Sequence, residues 1–349
     1  MLKQLLILFF LNLFFYSGDA QQIKLLDSGK SFSLRGLCAV SDQTLWVSGS
    51  SGSVGLSTDG GQNWKWISVP GYEKSDFRDI EAFSDQEALI MGITNPAVIL
   101  RTTDGGKSWI KVFVDTAKSA FLDAMYFFGD QGAIVGDPES GKIFFAETAD
   151  GGKTWNKKNP WGPRPSAPAD APAVGESFFA ASGSNLVLIP RPGYVSRFAN
   201  ALVSGGKKSC LYYLSGRYPL LINQGAETTG ANSIALDPSD PNRAFVVGGD
   251  FSHDTLRYRN SLRIRLDPFS QESPLDPPHG YRSCVEYLND NQMICCGTTG
   301  VDISNNGGMN WKLISNKGFH VCRKSKTGRS IFLAGAHGII GRLEPWPIP

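Results

Sequence analysis

The sequence predicts an all-β fold in which seven four-stranded sheets stand around a common axis, a seven-bladed β-propeller. Three observations carry this reading. An octapeptide returns four times, seven short apolar runs end in or near Gly, and an alternating segment precedes each run. Repetition at about 45 residues with four strands per unit describes a propeller blade. Helical stretches of amphipathic length are absent from the pattern, which disfavours a parallel α/β fold.

The chain begins MLKQLLILFFLNLFFYSGDAQQ. Lys3 is a positive n-region, Leu5 to Phe15 is too short for a comfortable membrane span, and Gly18 and Ala20 are small residues suited to cleavage before Gln21. Residues 1–20 are read as a secretory signal. Residues 21–349 are read as a single domain, exported to the periplasm or secreted. No Cys follows the cleavage point, which argues against a lipid anchor, and no later segment approaches a membrane span.

Each unit is expected to open on an inner strand and continue into a buried second strand. In order the pairs are LRGLCAV (from Leu34) with LWVSGSSG (Leu45), FRDIEAF (Phe77) with ALIMGI (Ala88), and FLDAMYF (Phe121) with GAIVGD (Gly132). Then come SFFAA (Ser177) with NLVLIP (Asn185), NSIAL (Asn232) with AFVVGGD (Ala244), YRSCVEY (Tyr281) with MICCGTTG (Met293), and FHVCRKS (Phe319) with IFLAGAHG (Ile331). The clearer first segments alternate with period two, and the second segments are apolar, β-branched and bounded by turns. A fourth strand follows the octapeptide, as in KWISV after Trp64 and IKVFV after Trp109. The seventh unit ends without an octapeptide or fourth strand. QIKLLDSG, from Gln22, has no other partner, so it is expected to supply the outer strand of the last blade and close the ring, leaving no blade edge unpaired.

The octapeptides are STDGGQNW (Ser57 to Trp64), TTDGGKSW (Thr102 to Trp109), TADGGKTW (Thr148 to Trp155) and SNNGGMNW (Ser304 to Trp311). Asp59, Asp104 and Asp150 are 45 and 46 residues apart, and Asn306 holds the Asp position in the fourth. A catalytic loop occurs once in a small enzyme, whereas a fourfold motif is structural. Asp or Asn accepts backbone N–H groups, Gly supplies positive φ, and Trp64, Trp109, Trp155 and Trp311 plug the blade. These turns are expected on the periphery. One carboxylate per turn is a poor calcium cage. LVSGGKKSC (Leu202 to Cys210) reads as a copy that lost Asp and Trp, and the fifth unit has no recognisable copy after HDTLRYRN.

Composition narrows function. The 349 residues carry a net charge of +2, which gives no support for nucleic-acid binding. Cys38, Cys210, Cys284, Cys295, Cys296 and Cys322 match no zinc spacing and read as buried thiols, with room for one disulfide. The four histidines are scattered, so no metal is expected, and no strand–GxGxxG–helix unit or nucleophile elbow is present. No cofactor is expected, and the chain is read as a monomer. Two Pro-rich stretches, NPWGPRPSAPADAPAVG (Asn159 to Gly175) and DPFSQESPLDPPHG (Asp267 to Gly280), read as long crossings between units.

Candidate site residues lie where the inner strands begin, at the mouth of the central channel. They are Arg35, Arg78, Asp79, Asp123, Glu176, Asn232, Tyr281, Arg282 and His320. Converging charges in a concave mouth suggest binding, and arginines favour a carboxylate or other anion. The structural reading of the same residues is mutual pairing, Arg78 with Asp123 or Arg282 with Glu176 through water.

The octapeptides resemble the Asp-box, or bacterial neuraminidase repeat, S/T-x-D-x-G-x-S/T-W. LRGLCAV, FRDIEAF, AFVVGGD, GYRSCVEY and NKGFHV are similar to segments of the seven-bladed propellers of the photosystem II assembly/stability factor family, whose exported bacterial relatives often carry the label oxidoreductase. The resemblance covers essentially the whole mature chain. It implies a binding or assembly module that engages a protein or an anionic ligand at the channel mouth. The alternative is a sialidase- or glycosidase-like hydrolase using Asp123 and Glu176.

Overall fold

A computed structural model describes residues 21–345 apart from 95, 140, 159–171, 192–197 and 215. The secretory-signal reading of residues 1–20 and most of the first Pro-rich stretch lie outside the described residues. The strands form seven antiparallel sheets. Blade 1 comprises Leu34–Ala39, Leu45–Gly49, Ser53–Ser57 and Lys65–Ser68. Blade 2 comprises Phe77–Ala82, Ala88–Gly92, Ala97–Thr102 and Ile110–Asp115. Blade 3 comprises Leu122–Phe128, Gln131–Glu139, Lys142–Thr148 and Asn156–Lys157. Blades 5 and 6 begin with Thr229–Leu236 and Cys284–Tyr287. Blade 7 runs Val321–Lys324, Ile331–Ala334, Ile340–Glu344 and, last, Gln22–Asp27. The N-terminal strand pairs antiparallel with Ile340–Glu344, in the register Gln22 to Glu344 and Ile23 to Leu343, so the expected closure is present.

The second strands of blades 1, 2, 6 and 7 and the third strands of blades 1 and 2 are buried and mostly apolar, and they pack against the neighbouring sheets. Trp46, fully buried in blade 1, donates its indole N–H to the Ser84 carbonyl of blade 2 at 2.8 Å. The octapeptides join third to outer strands, on the half of each blade away from the channel. In the first copy Ser57 Oγ donates to Asp59 Oδ1 at 2.8 Å, and the Gln62 and Asn63 amides donate to the same oxygen at 3.0 and 2.9 Å. Thr102 with Asp104 and Thr148 with Asp150 repeat the pattern. These bonds favour the carboxylate, and the Asn63 amide chiefly holds Asp59 down at about 2. In the fourth copy Asn306 Oδ1 accepts the Asn310 amide at 3.0 Å, while the Met309 amide donates to the Asn306 backbone carbonyl instead.

The doubled glycine has two separate duties. Gly60 and Gly61 both have positive φ, 72° and 84°. The second glycine also nests against the preceding blade. A Cβ at Gly106 would lie 2.6 Å from Ile67, at Gly152 2.7 Å from Leu89, and at Gly308 2.3 Å from Phe245.

Unit 4 corrects the strand assignment. SFFAA is not the inner strand; Leu186–Pro190, within NLVLIP, is. Phe198–Val203 is second, Cys210–Tyr213 third and Gly216–Pro219 outer. LVSGGKKSC is therefore the end of a second strand and its turn, not a decayed octapeptide. Glu176–Ser177 and Gly205–Gly206 instead extend the inner edge of blade 5, tying blades 4 and 5 together. The second Pro-rich stretch is not all crossing, since Ser270–Glu272 forms the outer strand of blade 5. All six cysteines are buried and free.

Candidate functional site

Four of the inner strands share a local irregularity that decides where their first polar side chains point. Pairing skips Arg35 between Leu34 and Gly36, Arg78 between Phe77 and Asp79, Asp123 between Leu122 and Ala124, and Asn232 between Ala231 and Ser233. Each is the extra residue of a β-bulge, which re-aims a side chain at a sheet edge. Four predicted mouth residues therefore occupy one equivalent position in blades 1, 2, 3 and 5.

Blade 6 is offset by one residue from the expected frame. The Arg282 amide donates to the Gly248 carbonyl, as Leu34 does to Gly335 and Phe319 to Gly297. Arg282 thus matches Leu34 and Phe319, residues that face the core, and Ser283 matches Arg35 and His320. A one-residue shift turns a strand side chain to the opposite face. Arg282 is fully buried and grips buried Asp302, with Nε 2.7 Å from the carboxylate and Nη2 as a second donor. Its Nη1 donates to the Tyr281 carbonyl at 2.8 Å and to Thr299 Oγ1 at 2.9 Å. His279 Nδ1 lies 2.6 Å from the other Asp302 oxygen. Arg282 is accordingly a packed structural cation, not part of the mouth.

Arg35, Arg78 and His320 converge at the beginning of the inner strands, the arginine end of the channel. Among the described residues half-buried Arg35 makes one hydrogen bond, from Nη1 to the Ala181 carbonyl at 3.3 Å. Burial first, and then the Arg78 charge, lower its pKa. Arg78 is paired with Asp76 at 2.7 Å, not with Asp123. Burial, then the charges of Arg35 and Arg78, hold His320 neutral with a pKa of about 3. Tyr281 stands beside Arg35 and donates its hydroxyl to Asn232 Oδ1 at 2.9 Å.

The two carboxylates of the hydrolase reading do not form an open pair. Asp123 is fully buried, and neither oxygen makes a hydrogen bond of normal geometry among the described residues. Burial, followed by Asp137, raises its pKa well above the carboxylate range; Arg78 and the Ala180 amide ease this in part. Glu176, also buried, accepts the Ser204 hydroxyl, the Tyr212 hydroxyl at 2.7 Å and the Ala173 amide at 2.7 Å. It anchors the segment entering unit 4.

At the opposite, far end all seven inner strands surround a chamber of about 630 Å³. Of the predicted site residues only Asp79 lines it. Glu81, Tyr126, Glu286, Arg323, Lys324 and Lys326 also line it, and sequence reasoning passed over them. Glu81, Tyr126, Glu286 and Arg323 hold equivalent positions in the register, two beyond Asp79, Ala124, Cys284 and Val321. Each lies three residues beyond the mouth position of its strand, Arg78, Asp123, Ser283 and His320, and that spacing is the signal that finds them.

No family model matches the chain. A segment of 108 residues is 30% identical to the photosystem II assembly lipoprotein Ycf48 of Synechococcus sp. (strain CC9902), and it spans 31% of this chain and 31% of that protein. Among solved structures, Ycf48 from Cyanidioschyzon merolae matches with a TM-score of 0.62 and 17% identity, over 93% of this chain and 99% of that one. A structure of Ycf48 bound to D1 peptide matches with a TM-score of 0.60 and 17% identity, over 92% and 96%. The GH74 enzyme of Niastella koreensis matches with a TM-score of 0.57 and 15% identity, over 92% of this chain and 53% of that one. The chain is a seven-bladed β-propeller that resembles Ycf48; at these identities the structural matches establish the fold.

Proposed function

We propose that the chain is an exported binding and assembly module that captures a protein partner through an anionic group at the arginine end of its channel. The observation that carries this reading is the convergence of Arg35, Arg78 and His320. Two guanidinium groups act on each other there with Asp76 as their paired carboxylate, and Arg35 has only a carbonyl for a hydrogen-bond partner among the described residues. A carboxylate seated between them would relieve that repulsion and accept bidentate donors. The resemblance to Ycf48, and the existence of a Ycf48 structure with a D1 peptide, support a polypeptide as the partner.

The test is capture of native envelope proteins by the wild-type chain and by an Arg35→Ala, Arg78→Ala double variant. Loss of a buried charge-assisted contact predicts at least a roughly tenfold fall in recovery of specific partners. Equal recovery by both chains removes the arginine end from the proposal. Arg282→Ala is not a substitute, because it unpairs buried Asp302 and lowers stability.

A further inference from the structure

We propose that the far-end chamber is a second binding site, and that it takes an organic monocation: a primary amine or guanidinium carried on an apolar group. The proposal does not rest on the arginine end, which favours the opposite charge. A chamber of about 630 Å³ falls in the size range of small-ligand sites.

Its polar groups decide the sign of the ligand. The cations are already engaged, Lys324 by donating from Nζ to the Leu288 carbonyl at 2.6 Å. Lys326 pairs with Glu81 and donates to the Ala82 carbonyl at 2.9 Å. Arg323 donates to Cys284 Sγ and the Cys322 carbonyl, both at 2.9 Å, and to the Ser182 carbonyl at 2.8 Å. Asp79 accepts the Met125 and Ile80 amides at 2.8 Å each. Glu286 is different. Arg323 and the Lys324 backbone amide act on its carboxyl group, and the Tyr126 ring beside it carries a hydroxyl with no hydrogen bond among the described residues. An incoming anion would meet three carboxyl groups, and the charged donors beside them are already bonded to protein acceptors. An incoming ammonium would meet Glu286, the Tyr126 oxygen and aromatic walls at Phe83, Phe127 and Tyr287, where a cation gains from the ring faces. Lys326 already lies 5.8 Å from the Phe83 centroid.

The titration behaviour agrees. Burial raises Glu286 to about 7 and Asp79 to about 8, partly opposed in each case by Arg323. The groups facing Glu286 are Arg323, Lys324 and Lys326 of blade 7, Asp79 and Glu81 of blade 2, Tyr126 of blade 3 and Cys284 of its own strand. A bound cation lowers the Glu286 pKa, so binding releases a proton near pH 7 and tightens as pH rises through that value.

Calorimetric titration of the whole chain with benzylamine and with its neutral counterpart benzyl alcohol tests this. Benzylamine should bind at one site, at least about tenfold tighter than the alcohol, with proton release in buffers of different ionisation enthalpy and affinity rising from about pH 6 to 8. Glu286→Gln should lose about tenfold or more while melting no lower than wild type, since it removes a buried carboxylate; Tyr126→Phe should lose less. Equal affinity for the two probes, no binding of either, or undiminished amine binding by Glu286→Gln overturns the proposal.

Discussion

A buried carboxylate without a proper partner opposes folding, and Asp123 is such a group among the described residues. Its folded pKa is raised, so the folded state holds this proton more tightly than the unfolded chain. Stability is therefore lost as pH rises above the unfolded value near ~3.9 and toward the folded one. Asp123→Asn should raise the unfolding free energy at pH 7 by about 1–3 kcal/mol, and the gain should shrink to nothing toward pH ~3.5. Urea denaturation at a series of pH values measures this; a variant less stable than wild type at pH 7 would assign Asp123 a favourable partner. His320 runs the other way. Its lowered pKa stabilises the neutral form, and that contribution fades as pH falls from about 6.5 toward about 3. The residue types of this end were legible in the sequence as a polar position opening each inner strand. Which of them reach the channel was not. Arg282 and Ser283 are adjacent letters, and only the hydrogen bond from the Arg282 amide to Gly248 tells which one faces the core.

At the scale of elements, the repeated turn separates two demands that the sequence prints as one GG pair. Gly151 needs only its positive φ of 71°, since a Cβ there would come no closer than 3.5 Å to its nearest neighbour, Asp130 Oδ1. Gly152 has φ 78° and also abuts Leu89 of blade 2. Gly151→Ala should cost about 1 kcal/mol and Gly152→Ala a further ~1–3 kcal/mol, read by chemical denaturation. Equal costs would mean that the neighbouring blade yields without penalty. Blades carrying this turn were legible because their octapeptides fix the strand count from the outside. Unit 4 has no such marker. There SFFAA imitates an inner strand and LVSGG imitates the octapeptide, which displaces the frame by one whole strand. Pairing partners, which are distant in sequence, set the frame, and local periodicity does not contain them.

At the scale of the molecule, the ring is shut by backbone pairing between Gln22–Asp27 and Ile340–Glu344. Ile23 and Leu26 also pack against the core shared by blades 6, 7 and 1. A chain lacking residues 22–27 should unfold roughly tenfold faster or more in denaturant jumps, because the exposed edge of Ile340–Glu344 has lost its partner. Its refolding should produce dimers and larger species by edge pairing, visible in size-exclusion chromatography. Unchanged unfolding rates would show that the ring holds without its latch. The same pairing imposes an order on biosynthesis. Residues 22–27 leave the ribosome ahead of every other described strand, yet the strand that receives them is made last. The first strand made must wait, unpartnered, through the making of all seven sheets, so a helper that masks it in the interval would raise yield without touching the finished protein.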